Sequence, residues 1–207
     1  MLACFRRIQG TTSALTDCDC SSSYSYWREK KERLTAKGEA MELQIRPYVA
    51  DDIRAMVRIW NEVVEAGDAF PQVTPLTEQN ADEFFSAQTA TMVAEVNGII
   101  FGLYILHPNN IGRCAHIANA SFAVASASRG LGLGRKLVEH CIETCGKKGF
   151  RGLQFNAVVA SNESAQHLYE SIGFTKVGKI PGGFINGLGG YEDIFIYYID
   201  TLDASQP

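Results

Sequence analysis

Three glycines at alternate positions, Gly130, Gly132 and Gly134, stand between Arg129 and Arg135 in the stretch "SRGLGLGRKL", just ahead of a helix-patterned run. Backbone stripped of side chains at a helix start leaves its N–H groups open, and with the helix dipole behind them they suit an anion, above all a pyrophosphate. Two other glycine loops do not fit. A dinucleotide loop requires G-x-G-x-x-G, but Arg135 fills the last place, and the following strand Leu153–Val159 carries no acid for a ribose. A loop of the form G-x-x-x-x-G-K-[ST] fails because Leu137 follows Lys136. What remains is Arg129-x-x-Gly132-x-Gly134.

No Ser-His-Asp or Cys-His nucleophilic set is discernible. Asn119 and Asn156 each interrupt an apolar strand pattern, "HIANASFAV" and "LQFNAVV", where asparagine is disfavoured. A buried amide without partners costs roughly 1–3 kcal/mol, so the two are either satisfied in the core or line a polar cavity. His116 stands in "CAHIANA", where alternation puts it on the face of Ala118, Ala120 and Phe122, opposite Asn119. That placement favours a core or hydrogen-bonded histidine over a base. His107, His140 and His167 read as surface or helix-face residues. The six cysteines show no C-x-x-C spacing and read as reduced core thiols. Cys18-Asp19-Cys20 offers two ligands without a second pair, so no metal is expected.

These groups need a scaffold, and the pattern supplies one. Glu42 to Tyr48 alternates as β1, and Asp51 or Asp52 caps α1, with Ile53, Met56, Val57, Trp60, Val63 and Val64 at helical spacing. After a loop at Gly67–Pro75, Thr77 opens α2, expected to run to about Ala90. "TMVAEVNGIIFGLYIL" reads as β2 and β3 joined at Val96-Asn97-Gly98, a type I′ hairpin signal. His116 to Val124 is β4, and the run with Leu133, Leu137, Val138, Cys141, Ile142 and Cys145 on one face is α3, ended by Gly146 and Gly149. Leu153–Val159 follows as β5, Asn162 to Ile172 as α4, "FTKVGKI" as β6, and "YEDIFIYYI" as β7 after a glycine-rich loop. A parallel crossover from β4 to β5 is implied.

At 207 residues and 46% hydrophobic content the chain can bury a substantial core. No apolar window approaches the length of a membrane helix, and a net charge of -4 gives no general attraction to nucleic acid or anionic lipid. A small ligand, not a nucleic acid or a membrane, is the expected partner. Residues 1–40 carry seven Lys/Arg and five Asp/Glu, the remainder twelve and eighteen, which marks a boundary near residue 40. Those forty residues show little apolar periodicity and read as a poorly ordered, dispensable extension or a short solvated helix. Their first sixteen are basic and free of acids, as in organellar presequences, but the apolar run is too short for a secretory signal. The preferred reading is an upstream extension, a cytoplasmic protein, and a functional domain spanning 41–203.

The loop Arg129-x-x-Gly132-x-Gly134 after a strand resembles the coenzyme A pyrophosphate loop of the GCN5-related N-acetyltransferases. A second block, "NESAQHLYESIGF", supplies Asn162, Ala165, Leu168, Tyr169, Gly173 and Phe174 at the spacing N-x-x-A-x-x-L-Y-x-x-x-G-F of the same family. The resemblance spans about residues 42–200. It implies a single α/β (α+β) domain with a mixed central sheet, β1-α1-α2-β2-β3-β4-α3-β5-α4-β6-β7, in which the parallel β4 and β5 splay apart. "FPQVTPLT", "LHPNNIGRCAHIANASFAV", "FNAVVASN" and "IPGGFINGLGGYEDIFIY" further resemble the subgroup that includes fungal acetyltransferases acting on azetidine-2-carboxylate. Those enzymes depart from the plain R-x-x-G-x-G loop, whereas this chain keeps it.

The resemblance implies acetyl-CoA as co-substrate and a small amine or amino acid as acceptor, with a homodimer as the possible assembly. Phe122, Ala123 and Val124 would offer main-chain groups to the pantetheine arm. Arg129, Gly130, Leu131, Gly132, Leu133, Gly134 and Arg135 would hold the pyrophosphate, with Asn162 also on the cofactor side. Direct transfer needs an acid for the departing thiolate, and Tyr169, four helical positions after Ala165, is the candidate. The fungal enzymes carry asparagines at the positions of Asn119 and Asn156 and bind substrate with them. Two alternatives stay open, acetylation of a protein and non-catalytic sensing of acyl-CoA.

Overall fold

The computed structural model describes residues 25–29, 32, 42–128 and 131–201. One sheet holds β1 (Leu43–Pro47), β2 (Ala90–Val96), β3 (Ile99–Pro108), β4 (Ile117–Val124), β5 (Gly152–Val159), β6 (Thr175–Ile185) and β7 (Tyr191–Asp200), in the order β1-β2-β3-β4-β5-β7-β6. The helices flanking it are α1 (Ile53–Ala66), α2 (Glu78–Ser86), α3 (Leu133–Lys147) and α4 (Glu163–Ile172). Every neighbouring pair is antiparallel except β4 and β5, so the fold is the mixed α/β sheet that the sequence implies.

Local chemistry accounts for the elements. Asn97 and Gly98 both take positive φ, 48° and 81°, which the type I′ turn between β2 and β3 demands. Thr77 accepts the Asn80 N–H through its hydroxyl at 3.3 Å while Asn80 Oδ1 accepts the Thr77 N–H at 2.8 Å, a reciprocal cap on α2. Asp52 does not cap α1 with its side chain as expected. Its carboxylate instead accepts the Val49 N–H at 2.9 Å and forks onto the Arg46 guanidinium at 2.7 and 3.0 Å.

Two apolar clusters lie on opposite faces. The α1/α2 face gathers Met56, Ile59, Trp60, Phe85, Phe101, Leu103, Ile105 and Ala123. The α3/α4 face gathers Tyr104, Leu106, Ala118, Ala120, Leu137, Cys141, Leu153, Phe155, Phe174 and Tyr197. Cys141 and Cys145 are buried free thiols as expected, but Cys114 is exposed, and the other three cysteines lie outside the described residues.

Several expectations are corrected. α2 stops at Ser86, because Ala90 already opens β2 and Thr91 bonds back to the Phe85 carbonyl at 2.7 Å. β6 runs on through Pro181-Gly182-Gly183 to Ile185, with a register shift between Ile180 and Phe184; an edge strand tolerates a proline whose ladder bond is missing. His116 is exposed and precedes β4, so it is no core residue. Upstream of residue 41, residues 25–29 are helical and Trp27 is fully buried against Phe101, with ring centroids 5.6 Å apart. A solvated, coreless segment therefore does not describe this turn.

Candidate active site

The parallel pair β4–β5 is held at two positions, Ile117 to Gly152 and Ala118 to Leu153. Beyond them the strands part. From Asn119 to Val124, β4 keeps β3 on one edge, with Tyr104, Leu103 and Gly102 opposite Phe122, Ala123 and Val124, and has no strand partner on the other among the described residues. The start of β5 is pinned by a close approach, since a Cβ on Gly152 would collide with the Tyr198 ring. Past Phe155, β5 bulges before Val158, which leaves both Asn156 and Ala157 off the α3/α4 face.

On the α1/α2 face of this gap lies an amide cluster. Asn119 stands directly across β3–β4 from His107, opposite the face of Ala118 and Ala120. It is half-buried; Oδ1 accepts the Ala120 N–H at 2.8 Å, and the described residues offer Nδ2 no acceptor. Asn156 is exposed, donates to Asn109 Oδ1 and accepts from Gln154 Nε2 at 2.7 Å. The structure thus brings both asparagines to one face, and Asn109 and Gln154, which the sequence did not single out, join Asn156. Two loops border that face. The segment after α1 is tied by Trp60 to Gln72 and by Asn61 to both backbone groups of Leu76, all at 2.8 Å. The β6–β7 loop meets it where Gly187 N–H donates to Gly67 O at 2.9 Å.

On the α3/α4 face, Phe122 of β4 touches Phe155 of β5 edge-on at 5.8 Å, and Phe155 contacts Tyr169 of α4. Tyr169 packs further on Phe174 and Tyr197. Burial pushes its phenol well above the usual tyrosine range, with the thiol of Cys141 adding to the effect, and no hydrogen-bond partner for the hydroxyl occurs among the described residues. His140, expected on a helix face, shares a hydrogen bond of 3.0 Å with the buried Tyr104 hydroxyl. Burial lowers its pKa.

At the end of β4 the chain turns into α3. Arg129 and Gly130 lie outside the described residues. Gly132, at φ 71°, occupies the cap position; no side chain among the described residues caps α3, and the first-turn amides at Leu133, Gly134 and Arg135 have no intrahelical partner. A Cβ on Gly132 would meet nothing within 4 Å, and one on Gly134 would meet Leu168 of α4 at 3.7 Å. Arg135 donates to the Ser171 hydroxyl and lies 3.6 Å from Glu139. Asn162, expected on the cofactor side, caps α4 by accepting the Ala165 N–H at 3.2 Å.

This arrangement is a splayed parallel pair with an uncapped glycine-headed helix at its end, and the Acetyltransferase (GNAT) family matches residues 54–174. The chain belongs to that family. It is 30% identical over 155 residues to N-acetyltransferase aca1 of Schizosaccharomyces pombe, covering 66% of this chain and 74% of that one. The GCN5-related N-acetyltransferase from Kribbella flavida superposes with a TM-score of 0.71 at 35% identity, over 76% of this chain and 97% of the other. A GNAT superfamily phosphinothricin acetyltransferase from Sinorhizobium meliloti, solved in complex with AcCoA, shares the fold at a TM-score of 0.73 and 22% identity, over 80% and 92% of the two chains. The protein is an acetyltransferase. Among the described residues no group of His, Cys, Asp or Glu would hold a metal, and no helix is long and apolar enough to cross a membrane.

Proposed function

We propose that this enzyme transfers the acetyl group of acetyl-CoA to the amine of a small molecule, an amino acid or analogue, by direct attack within a ternary complex. The observation that carries the reading is the parting of β4 from β5 after Ala118 and Leu153, with amides on one face of the gap and Tyr169 on the other. The AcCoA complex of the Sinorhizobium meliloti relative and the N-acetyltransferase activity of aca1 support it.

The residues present fit coenzyme A. Open amides at the head of α3 and the empty space over Gly132 suit the pyrophosphate, and the free edge of β4 at Phe122, Ala123 and Val124 suits the pantetheine amides. When bound, acetyl-CoA supplies an activated acetyl group. Asn119 and Asn156 orient the acceptor from the opposite face, as neutral groups that both donate and accept. As the new C–N bond forms and the C–S bond breaks, Tyr169 holds a proton at its hydroxyl for the departing sulfur, and water takes the proton lost by the amine.

Thiol release from acetyl-CoA, measured across a panel of free amino acids and their analogues, tests this. Turnover with at least one member is expected. Acetyl-CoA binding without turnover on any free amine, but with turnover on a peptide, would move the reading to protein acetylation; binding with neither would leave a sensor.

A further inference from the structure

A ladder of short bonds leads into the turn at the head of α3. Phe101 O accepts the Ala125 N–H at 2.9 Å; Ala125 O accepts the N–H and the hydroxyl of Ser128 at 2.9 and 2.7 Å; Ser128 O accepts the Leu131 N–H at 3.3 Å. Gly132 follows. Two side chains from elsewhere fasten the top of this ladder. Glu62 of α1 accepts the Ser126 N–H through Oε2 at 3.0 Å, and Trp27 packs its ring on Phe101. The turn carrying Trp27 is bound to α1 as well, since the Arg58 guanidinium, one helical turn before Glu62, lies 4.7 Å over the Tyr26 ring.

The two side chains share another feature. Trp27 Nε1 and Glu62 Oε1 are the buried side-chain polar atoms without a hydrogen-bond partner among the described residues. The first only donates and the second, as a carboxylate oxygen, only accepts. Buried polar atoms are rarely left so. Both flank Phe101 and the residues that hang from it. The family match begins at residue 54, so Trp27 reaches this place from outside the matched domain.

We propose that the helical turn at residues 25–29 and Glu62 form a clasp that fixes the approach to the glycine turn, so that the segment upstream of the family domain sets the affinity for coenzyme A. The inference rests on reading that turn as the coenzyme A site. A turn already held in shape loses less conformational freedom when the ligand arrives, and binds it more tightly. Trp27 and Glu62 are positioning residues, acting through Phe101 and Ser126.

Calorimetric titration of the full chain with coenzyme A, alongside amine kinetics and melting curves, tests the clasp. Trp27→Ala and Glu62→Ala are each expected to weaken coenzyme A at least fivefold, the double variant to cost less than the product of the two, and Trp27→Phe to retain most of the affinity. The amine KM should change less than twofold. Val64→Ala removes buried atoms from the same helix without touching the ladder, and should lower the melting temperature while leaving coenzyme A affinity intact. Unchanged affinity in Glu62→Ala and Trp27→Ala, or equal weakening in Val64→Ala, overturns the clasp. If Trp27→Ala does not fold, Glu62→Ala compared with Val64→Ala decides the matter. Failure of the wild type to bind coenzyme A removes the cofactor reading and the clasp together, whereas wild-type binding with indifferent variants removes the clasp alone.

Discussion

The rings of Phe155 on β5 and Tyr169 on α4 lie with centroids 4.5 Å apart at a tilt of 45°. Phe122 on β4 meets Phe155 from the other side, so this one contact ties the phenol of α4 to both strands bordering the gap. The ring of Tyr169 is therefore structural whatever its hydroxyl does.

That division makes Tyr169→Phe informative. The ring contacts survive, and the hydroxyl that is lost has no partner to strand among the described residues, so stability should change by less than about 1 kcal/mol. If the phenol protonates the departing sulfur, kcat falls by about 10²-fold with coenzyme A affinity unchanged. The raised pKa keeps the wild-type phenol protonated through the working range, so wild type and variant should share the same pH profile below about pH 9. Single-turnover rates equal to those of the wild type would leave Tyr169 as packing only.

Gly132 separates charge from crowding. Its φ of 71° strains any side chain, but a Cβ there meets open space, and Asn and Asp tolerate this conformation alike. Gly132→Asn and Gly132→Asp should melt at similar temperatures. Coenzyme A should bind the aspartate variant at least tenfold more weakly than the asparagine variant, because only the former sets a negative charge beside the uncapped amides. Equal affinities would exclude an anion site at this turn.

What was legible in the sequence followed from local chemistry. Asn97-Gly98 announces its hairpin because two adjacent positive φ values demand those residues, and α3 announces itself by apolar spacing and by Gly149 just past its end, although Gly146, read as ending it, lies inside the helix. What was not legible depends on distant partners. The β5 bulge at Asn156-Ala157 carries no glycine, and only its pairing with β7 reveals it. Asn109, just past the end of β3, carries no signal of its own in the sequence, and only the fold sets it against Asn156. Trp27 sits in a charged, aperiodic stretch, where a single core residue produces no period to read. His116 was misplaced because alternation was extended one residue past the true start of β4.

Asp52 gives the stability of the domain a pH signature. Burial alone would raise its carboxyl, but the bonds from Arg46 and the Val49 N–H outweigh that and hold it below the ordinary range. A folded pKa below the unfolded one contributes stability above about pH 4, lost as pH falls through the folded value. Asp52→Asn should therefore cost about 2 kcal/mol near pH 7, less than a wholly buried pair because Arg46 keeps Glu95 at 2.6 Å. Melting temperatures of the two proteins should converge as pH drops below about 4. A gap that stays constant from pH 7 to 3 would mean that the aspartate's charge does not stabilise the fold.

Asn119 and Asn156 offer the sharpest test of where the acceptor sits. Both lie on the α1/α2 face beside the opening strands, yet neither amide is consumed by the fold: among the described residues Asn119 bonds only its own neighbour's N–H, and Asn156 is exposed within a cluster of Gln154 and Asn109. An amide that stabilised the sheet would bond across strands to main chain, and its loss would appear in the melting temperature. These two have donors or acceptors to spare for an amine and a carboxylate, and as groups that do not titrate they add no competing charge. Asn119→Ala and Asn156→Ala should each lower kcat/KM for the amine at least tenfold, about 1.4 kcal/mol, with the KM for acetyl-CoA little changed and stability within about 1 kcal/mol of wild type. Gln154→Ala, one bond removed, should cost less than Asn156→Ala and nothing further in the double variant, because it acts by holding Asn156. Equal damage to both substrates' constants together with a large fall in melting temperature would show that these amides hold the sheet and that the acceptor binds elsewhere.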